Sequence, residues 1–541
     1  MSGEGNSPET GARRVVAQDV RVSRRPSYAA LLSLAVLATA CAGSSTPKAA
    51  SPVPTIGSPS SSVATPSTGA SPSAASSATA VPQPPALIWT SCRDGFQCSA
   101  VTVPLDYAAP SAGSVRLRLI RLRASRPAQR VGALLVNPGG PGVSAVDFLR
   151  GFASGSVPAV LRQRFDLVAF DPRGTTGSAP VHCLDTTGLD RYFHVDQDPD
   201  TPAEVTAFEN QSKVLAAGCA KRSGRILAHL STADAARDMD SVRAALREPR
   251  LTYLGYSYGT ALGAAYLDLF PTHVRAMVLD GALDPRSPWD DVVTGQAKGF
   301  EQAFASFLRW CDGHASTCDF RRAVTGDLGK AYDAIRARVE RQPLPGIGSR
   351  TVGPSELFFG AGQALYSTSY WEFLGTALAD ASRGDGNLLL QLSDMYLERG
   401  DSGYDNTIEA NFAVNCVDKP FPKDPAAYAR LAHTLAAVAP RFGPAIGWGS
   451  EQCAVWPVPS TGVPHAVTGA GSPPIVVIGT TRDPATPYAW AVALAKQLAH
   501  GVLLTHDGDG HTAYRSSAPA CITNPVNTYL LTGQAPAPAR C

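Results

Sequence analysis

The residues most suited to chemistry lie in the motif Gly-Tyr-Ser-Tyr-Gly at positions 255–259. A strand-like run, Leu251 to Leu254, precedes this motif, and a helix-like run, Thr260 to Leu269, follows it. A serine on a sharp turn between strand and helix needs glycine two residues before and two residues after it, because side chains there would obstruct the backbone. We therefore predict that Ser257 is a nucleophile presented at one edge of a sheet.

A serine hydroxyl needs a histidine to take its proton and a carboxylate to fix the tautomer of that histidine. With a serine on this kind of turn, the acid and then the histidine follow in chain order. Asp483 comes directly after the strand-like run Ile475 to Ile478, and His511 lies in a glycine-rich loop after the last such run. We predict that Asp483 is the acid and His511 the base. The alternatives also stand at or beyond strand ends: Asp280 and Asp284 for the acid, and His506 for the base.

A glycine-rich loop, Asn-Pro-Gly-Gly-Pro-Gly at positions 137–142, follows the first clear strand-like run. Its glycines let the backbone approach a reacting group closely, and its prolines have no N–H to donate. Acyl transfer needs N–H groups aimed at the negative charge that develops on the carbonyl oxygen. We predict that the N–H groups of Gly140 and Tyr258 form this oxyanion hole.

Short apolar runs alternate with helix-like stretches beyond Trp89, which is typical of a mostly parallel sheet covered by helices on both faces. The alternation breaks down between about residues 286 and 470, so we expect a helical lid inserted between two parts of one catalytic domain, 87–285 and 471–541. One helix is expected to begin with the Thr232 hydroxyl as its N-cap. The predicted strands are Ala133 to Val136, Phe165 to Phe170, Thr252 to Leu254, Ala276 to Leu279, Ile475 to Ile478 and Val502 to Thr505, and the helix-like stretches of the lid are Phe300 to Trp310, Leu388 to Leu397 and Ala426 to Val438.

Residues 1–41 are predicted to be an export signal rather than part of the fold. Five arginines precede an apolar run, Ala29 to Ala40, that is too short to span a bilayer. The stretch Leu37 to Cys41 looks like a bacterial lipobox, so we expect acylation of Cys41 and a lipid anchor on the outer face of the membrane. An ordinary signal peptide and secretion are the alternative. Residues 42–86, mostly Ser, Pro, Ala, Thr and Gly, are expected to be a disordered linker.

Cysteine usage fits export, because setting aside Cys41 leaves ten of the 11 cysteines, an even number compatible with five disulfides. The sequence shows no phosphate-binding loop, nicotinamide fingerprint or metal-ligand cluster, so we expect no cofactor and no metal. The 47 basic and 45 acidic residues are well mixed, which argues against a nucleic-acid partner, and we expect a monomer. Sequence does not fix connectivity, but neighbours suggest the pairs Cys92 with Cys98, Cys183 with Cys219, Cys311 with Cys318, Cys416 with Cys453, and Cys521 with Cys541.

Several separated stretches together span essentially the whole mature chain: Trp89 to Cys92, Cys98 to Tyr107, Asn137 to Gly142, Asp171 to Gly174, Gly255 to Gly259, Asn415 to Asp418, and the segments around Asp483 and His511. In these stretches the chain resembles the secreted tripeptidyl aminopeptidases of actinobacteria and their mycobacterial lipoprotein relatives. This resemblance implies an α/β-hydrolase fold and a serine peptidase that releases short peptides from free N-termini, or cleaves esters and amides, through an acyl-enzyme.

An exopeptidase must hold the ammonium group of its substrate, which requires a carboxylate at the closed end of the pocket. Asp418 and Glu409, near the end of the predicted lid, are the candidates for this role. Asp418 fits equally well as a hydrogen-bond acceptor for nearby backbone. Two other functions stay open on the sequence: an esterase or lipase, which would have an apolar pocket without an ammonium site, and a catalytically silent surface-binding lipoprotein.

Overall fold

The computed structural model describes residues 86–541. The predicted signal, Cys41 and all but the last residue of the predicted linker lie outside the described residues. The strands are β1 (Thr90–Ser91), β2 (Gln97–Pro104), β3 (Ser114–Leu122), β4 (Gly132–Asn137), β5 (Phe165–Phe170), β6 (Leu251–Tyr256), β7 (Val274–Asp280), β8 (Leu344–Pro345), β9 (Thr351–Val352), β10 (Arg399–Gly400), β11 (Gly403–Tyr404), β12 (Ile475–Arg482), β13 (Gly501–Asp509) and β14 (Ala539–Arg540).

A ten-stranded sheet in the order β1-β2-β3-β5-β4-β6-β7-β12-β13-β14 forms the centre of the described chain. From β5 to β14 all neighbours are parallel, which confirms the predicted mostly parallel sheet. Each of the six predicted strands lies within β4, β5, β6, β7, β12 or β13. The antiparallel edge formed by β1, β2 and β3 was not predicted from the sequence.

The helices cover the sheet and fill the long connection between β7 and β12. They are α1 (Ala145–Gly151), α2 (Ala159–Arg164), α3 (Thr186–His194), α4 (Pro202–Leu227), α5 (Thr232–Ala245), α6 (Tyr258–Leu269), α7 (Trp289–Gly313), α8 (Asp319–Ala323), α9 (Leu328–Arg341), α10 (Pro354–Leu365), α11 (Trp371–Arg383), α12 (Asn387–Tyr396), α13 (Thr407–Asp418), α14 (Ala426–Ala436), α15 (Gly443–Trp448), α16 (Tyr488–Gln497) and α17 (Ala520–Thr532). Short 3₁₀ turns occur at Arg93–Gly95, Pro110–Ala112, Pro127–Gln129, Pro271–His273, Thr368–Tyr370 and Glu451–Cys453, and a π turn at Phe152–Ser156.

The N-cap of α5 is one residue earlier than predicted. Ser231 has the extended backbone of an N-cap, and its side chain accepts the N–H of Asp234. Thr232 is instead the first helical residue, and its hydroxyl donates to Asp418. The prediction that Thr232 caps the helix was therefore wrong, because its hydroxyl has a long-range partner that the local sequence does not reveal.

Two large apolar clusters lie on opposite faces of the sheet, since successive residues of a strand point to opposite sides. In β6, for example, Tyr253 packs into the cluster beneath α5 and α6, whereas Leu254 packs into the cluster beneath α1 and α17. Burial on both faces explains why the central strands are continuous apolar runs. Among residues 86–541, we find no helix that combines the length and the apolar composition of a membrane span.

The segment between β7 and β12, which we call the helical insertion, contains α7 to α15 and has an apolar core of its own, with Phe304, Phe307 and Leu374 fully buried. The predicted lid stretches overlap α7, α12 and α14, while a separate domain at residues 286–470 stays a prediction. The ten described cysteines form five disulfides: Cys92–Cys98, Cys183–Cys219, Cys311–Cys318, Cys416–Cys453 and Cys521–Cys541. These are the pairs that sequence neighbours suggested.

Candidate active site

Strand register brings the predicted catalytic segments to one edge of the sheet. Asn137 at the end of β4 pairs with Gly255 near the end of β6. Asp280, which ends β7, pairs with Tyr256 on one side and with Ile478 of β12 on the other. The loops that follow these strands therefore leave the sheet side by side, at the carboxyl edge where parallel α/β sheets bind their ligands.

Ser257 sits on the sharp turn that the sequence predicted. It joins β6 to α6 with φ 53° and ψ −125°, a conformation that costs a non-glycine residue on the order of 1–3 kcal/mol. The flanking glycines are required by space: a Cβ on Gly255 would lie 2.5 Å from the carbonyl oxygen of Gly259, and one on Gly259 would lie 2.9 Å from that of Asn137. The strain is thus maintained by tight backbone packing on both sides of the serine.

Asp483 and His511 are in direct contact. The Nδ1 atom of His511 lies 2.9 Å from each carboxylate oxygen of Asp483, which is only 2% exposed. Backbone N–H groups of Ala485, Thr486 and Thr512 also donate to this carboxylate. Since the acceptor faces Nδ1, that nitrogen carries the proton and Nε2 is left as the basic nitrogen. Nε2 is buried, and no group of the described chain bonds to it.

The pKa of His511 is raised above its ordinary value of about 6.5. Burial alone would lower this pKa, but the negative charge of Asp483 and its hydrogen bond to the ring outweigh burial, and Asp280 adds to the effect. The imidazolium is therefore stabilised, which suits a base that must carry a proton during the reaction.

The end of β7 lies between the serine and the histidine. The backbone N–H of Ser257 donates to the carbonyl of Asp280 at 2.9 Å. The next residue, Gly281, lies against the imidazole, since a Cβ there would come within 3.2 Å of His511 Cε1. The structure thus brings Ser257, Asp483 and His511 together, although their catalytic roles stay predictions.

The alternative acids and base have other partners. Asp280 is fully buried and accepts the N–H groups of Ala513 and Tyr514 at 2.6–3.1 Å, so it holds the loop after His511. Burial, opposed by those hydrogen bonds, raises the pKa of Asp280 to about 6. The remaining alternatives are Asp284, which pairs with Arg286 and accepts from Gln497, and His506, whose Nδ1 is buried without a partner in the described chain.

Thr486 is a further residue of the site, which was not predicted from the sequence. Its hydroxyl lies 3.1 Å from Asp483 Oδ2 and 3.3 Å from His511 Nδ1. The available signal was a hydroxyl three residues after an acid that directly follows a strand, because a tight turn brings such a side chain back over the carboxylate. Thr486 therefore supports the acid and faces the base.

The loop at 137–142 passes directly over the turn that carries Ser257. A Cβ on Gly139 would lie 2.8 Å from Ser257 Cβ and 3.0 Å from the nitrogen of Tyr258. Gly140, with φ 109°, lines the same cavity as Ser257 and Tyr258. Tyr258 is the first residue of α6, so its N–H has no acceptor within the helix. Gly140 and Tyr258 thus border the same cavity as Ser257, and their role in an oxyanion hole stays a prediction.

A cavity of about 500 Å³ lies between the sheet edge and the helical insertion, with Ser257 in its wall. The α6 helix lines it from Tyr258 to Asp268, so at 1.5 Å per residue the cavity follows this helix for about 16 Å beyond the serine. Aromatic side chains from α3 and the insertion form another wall: Tyr192, Phe193, Phe358, Phe359, Tyr396 and Phe412.

The two predicted amine ligands lie in different places. Asp418 lines the cavity, where its Oδ1 accepts the N–H of Thr232 at 2.7 Å and its Oδ2 accepts the Thr232 hydroxyl. Burial, opposed by these two hydrogen bonds, raises the pKa of Asp418 to about 6. Glu409 is buried outside the cavity lining, and it accepts the N–H groups of Cys183 and Leu184 at 2.7 and 3.0 Å. We therefore set Glu409 aside as an amine ligand, because its carboxylate supports the backbone beside a disulfide.

Comparison with known proteins agrees with this geometry. The family model described as "alpha/beta hydrolase fold" matches residues 132–319, and the one described as "TAP-like protein" matches residues 439–541. The sheet order, the serine turn and the Asp–His pair thus define a serine hydrolase of the α/β-hydrolase fold.

The chain is 37% identical to serine protease Hip1 of Mycobacterium tuberculosis over 473 residues, covering 83% of this chain and 89% of that one. It is 34% identical to tripeptidyl aminopeptidase of Streptomyces lividans over 529 residues, covering 95% and 96%. It is also 38% identical to carboxylesterase B of M. tuberculosis over 482 residues, covering 86% and 91%. The chain belongs to this family of α/β-hydrolases, which confirms the resemblance seen in the sequence.

Proposed function

We propose that this protein is an exported serine aminopeptidase that releases short peptides, of the tripeptidyl type, from free N-termini. The observation that carries the proposal is the Asp483–His511 pair beside Ser257, in the wall of a cavity that also contains carboxylates. Relatives named serine protease and tripeptidyl aminopeptidase support it at 34–37% identity over most of their length.

In the proposed reaction, His511 Nε2 takes the proton of Ser257 as the hydroxyl oxygen attacks the scissile carbonyl carbon. The N–H groups of Gly140 and Tyr258 stabilise the oxyanion that forms. His511 then gives its proton to the leaving amine, the C–N bond breaks, and the peptide remains as an ester on Ser257. Water, deprotonated by His511, hydrolyses the ester and restores the hydroxyl. Asp483 keeps the proton on Nδ1 throughout.

The size of the cavity fits a short acyl segment. Three extended residues span about 10 Å, and pockets that enclose small ligands measure about 300–1,000 Å³. A free N-terminus needs a carboxylate along this path, and Asp418 and Asp268 are the acidic residues of the cavity lining. We propose Asp418, because it is more buried than Asp268, whose exposed carboxylate pairs with His465 at 3.1 Å. An amine held by Asp418 is lost as pH falls through the Asp418 pKa of about 6.

An esterase is the second candidate function. A relative named carboxylesterase B is 38% identical to this chain, and the aromatic wall of the cavity suits an apolar acyl group. The two functions differ in one respect that can be measured, since only the aminopeptidase distinguishes a free N-terminus from a blocked one.

The test compares kcat/KM of the purified mature protein on a free tripeptide anilide, its N-acetylated form and a short-chain ester, with Ser257→Ala as the inactive control. We expect the free tripeptide to be preferred, and Asp418→Asn to lose that preference by raising KM while ester turnover is retained. Asp268→Asn is the matched control, because it neutralises the other carboxylate of the lining. Equal rates on free and acetylated peptides would favour the esterase, and activity in Ser257→Ala would exclude the proposed nucleophile.

We also propose that the protein is lipid-anchored through Cys41. The basic segment, the short apolar run and the cysteine at its end support this. Labelled palmitate should be incorporated into the full-length protein expressed in an actinobacterium, and Cys41→Ser should abolish labelling and release the protein into the medium. Labelling that persists in Cys41→Ser would contradict the anchor.

A further inference from the structure

Tyr366, the residue that follows α10 in the helical insertion, contacts the predicted base in two ways. Its carbonyl oxygen accepts the backbone N–H of His511 at 2.8 Å. Its ring meets the imidazole edge-on, with ring centroids 5.4 Å apart and planes at 83°. One residue of the insertion therefore holds both the main chain and the ring of the histidine.

The loop before His511 is shaped for this contact. Gly510 has φ 99°, and a Cβ there would lie 3.2 Å from the carbonyl oxygen of Tyr366. A larger residue at 510 would be strained in this conformation and would press on that oxygen. The loop thus approaches the insertion as closely as its backbone allows.

Tyr366 is itself fixed by the core of the insertion. Its ring packs against Phe300 of α7 with centroids 5.6 Å apart, and against Tyr396 of α12 with centroids 6.4 Å apart. Tyr366 also lines the cavity. The position of the imidazole is consequently tied to three helices that lie outside the sheet.

We propose that Tyr366 is a positioning residue for catalysis, because it links the base to the packing of the helical insertion against the sheet. Asp483 fixes one edge of the imidazole, and Tyr366 fixes its main chain and packs against its ring, so that the imidazole is held in one orientation. Movement of the insertion away from the sheet would break the bond to His511 and uncover the ring. The inference rests on the proposed roles of Ser257 and His511, but it holds for a peptidase and an esterase alike.

The test uses Tyr366→Leu, which removes the ring and keeps the carbonyl, and Tyr366→Phe, which keeps the ring and removes only the hydroxyl that hydrogen-bonds with Tyr396. Tyr370→Leu is the matched control, since Tyr370 belongs to the same insertion but lines no part of the cavity. A small displacement of a reacting group costs up to about 100-fold. We expect Tyr366→Leu to lower kcat about tenfold with a smaller change in KM, and Tyr366→Phe and Tyr370→Leu to stay within about twofold of the original protein.

The pH profile separates positioning from simple packing. Burial lowers the pKa of an imidazole, so uncovering the ring should move the acid limb of kcat/KM to higher pH in Tyr366→Leu, and not in Tyr370→Leu. Thermal midpoints of all variants are measured in parallel, so that a loss of folding is recognised. An unchanged pH profile and kcat in folded Tyr366→Leu would overturn the proposal, as would an equal loss in Tyr370→Leu.

A fluorophosphonate that reacts with activated serines distinguishes failure of this inference from failure of the proposed function. If Ser257→Ala is labelled as fast as the original protein, or if neither is labelled, the proposed nucleophile is wrong. If the original protein is labelled, Ser257→Ala is not, and Tyr366→Leu is labelled at the original rate, the nucleophile stands and the role of Tyr366 is refuted. Slower labelling of Tyr366→Leu, restored in Tyr366→Phe, is the expected result.

Discussion

Replacing Asp483 with asparagine perturbs the centre of the proposed site with almost no change in shape. In the structure, Oδ1 accepts the N–H groups of Ala485 and Thr486, while Oδ2 faces Thr512, and His511 Nδ1 is 2.9 Å from both oxygens. An asparagine oxygen is best placed at Oδ1, where two donors hold it. The amide NH₂ then points at His511 Nδ1 and at the Thr512 N–H, and it offers a proton where the histidine needs an acceptor.

Two effects of different size follow. The amide favours the tautomer with the proton on Nε2, which cannot take a proton from Ser257, and in a Ser-His-Asp site this lowers kcat by about 10⁴-fold, or about 5 kcal/mol. Separately, the Thr512 N–H loses its acceptor, which costs about 1–3 kcal/mol of the free energy of unfolding. The loss of activity should therefore greatly exceed what the loss of folded protein explains.

The assay is steady-state hydrolysis of a free tripeptide anilide, with urea unfolding of each variant to measure stability. Asp280→Asn is the matched control, because Asp280 is as buried as Asp483 but binds the N–H groups of Ala513 and Tyr514. It should lose stability with a much smaller change in kcat. The reasoning is refuted if Asp280→Asn loses about 10⁴-fold in kcat while Asp483→Asn keeps most of its activity.

Three further predictions test neighbouring parts of the site. The base must be neutral, and the pKa of His511 is raised, so kcat/KM should fall with decreasing pH through a midpoint above about 6.5; a midpoint below that value would contradict the hydrogen bonding described. Thr486→Val, which removes the hydroxyl near the acid and the base, should cost about 1 kcal/mol of stability and about tenfold in kcat, and unchanged kinetics would show that the hydroxyl is dispensable. Gly139→Ala would place a Cβ 2.8 Å from Ser257 Cβ and should abolish activity, whereas Gly362→Ala, with no atom within 4 Å of its Cβ, should leave activity intact in the same assay.

The features predicted from sequence are those with a local signal. The turn at Ser257 is specified by its two glycines and by the strand and helix beside it, and Asp483 and His511 follow apolar strands that end at the same sheet edge. Because parallel strands share that edge, sequence order alone brought these residues together. The same reasoning placed the loop of Gly140 beside the serine.

The features that the sequence did not reveal depend on contacts between distant segments. From its own segment, Glu409 was predicted to have a carboxylate free to bind substrate. Only the folded chain shows that the backbone N–H groups of Cys183 and Leu184, 226 and 225 residues away, donate to its Oε1 atom. Tyr366 carries no motif, and its contact with His511 exists only because the insertion folds back over the sheet. Local periodicity contains no information on such pairs.

The helical insertion contacts both halves of the proposed catalytic machinery. On one side, Tyr366 holds the main chain and ring of His511. On the other side, Asp418 of α13 binds Thr232, whose hydroxyl lies 2.6 Å from the phenol oxygen of Tyr258, the residue proposed to donate its N–H to the oxyanion.

If the insertion served only to exclude water, it would need no hydrogen bonds to these residues. Tyr366 of the insertion instead bonds to His511, and Asp418 bonds to Thr232, which contacts Tyr258. The packing of the insertion thus forms the cavity and also contacts the residues proposed to react. We therefore expect the insertion to influence catalytic geometry, so that substitutions at its contacts with the sheet should change kcat, whereas substitutions on its exposed face should not.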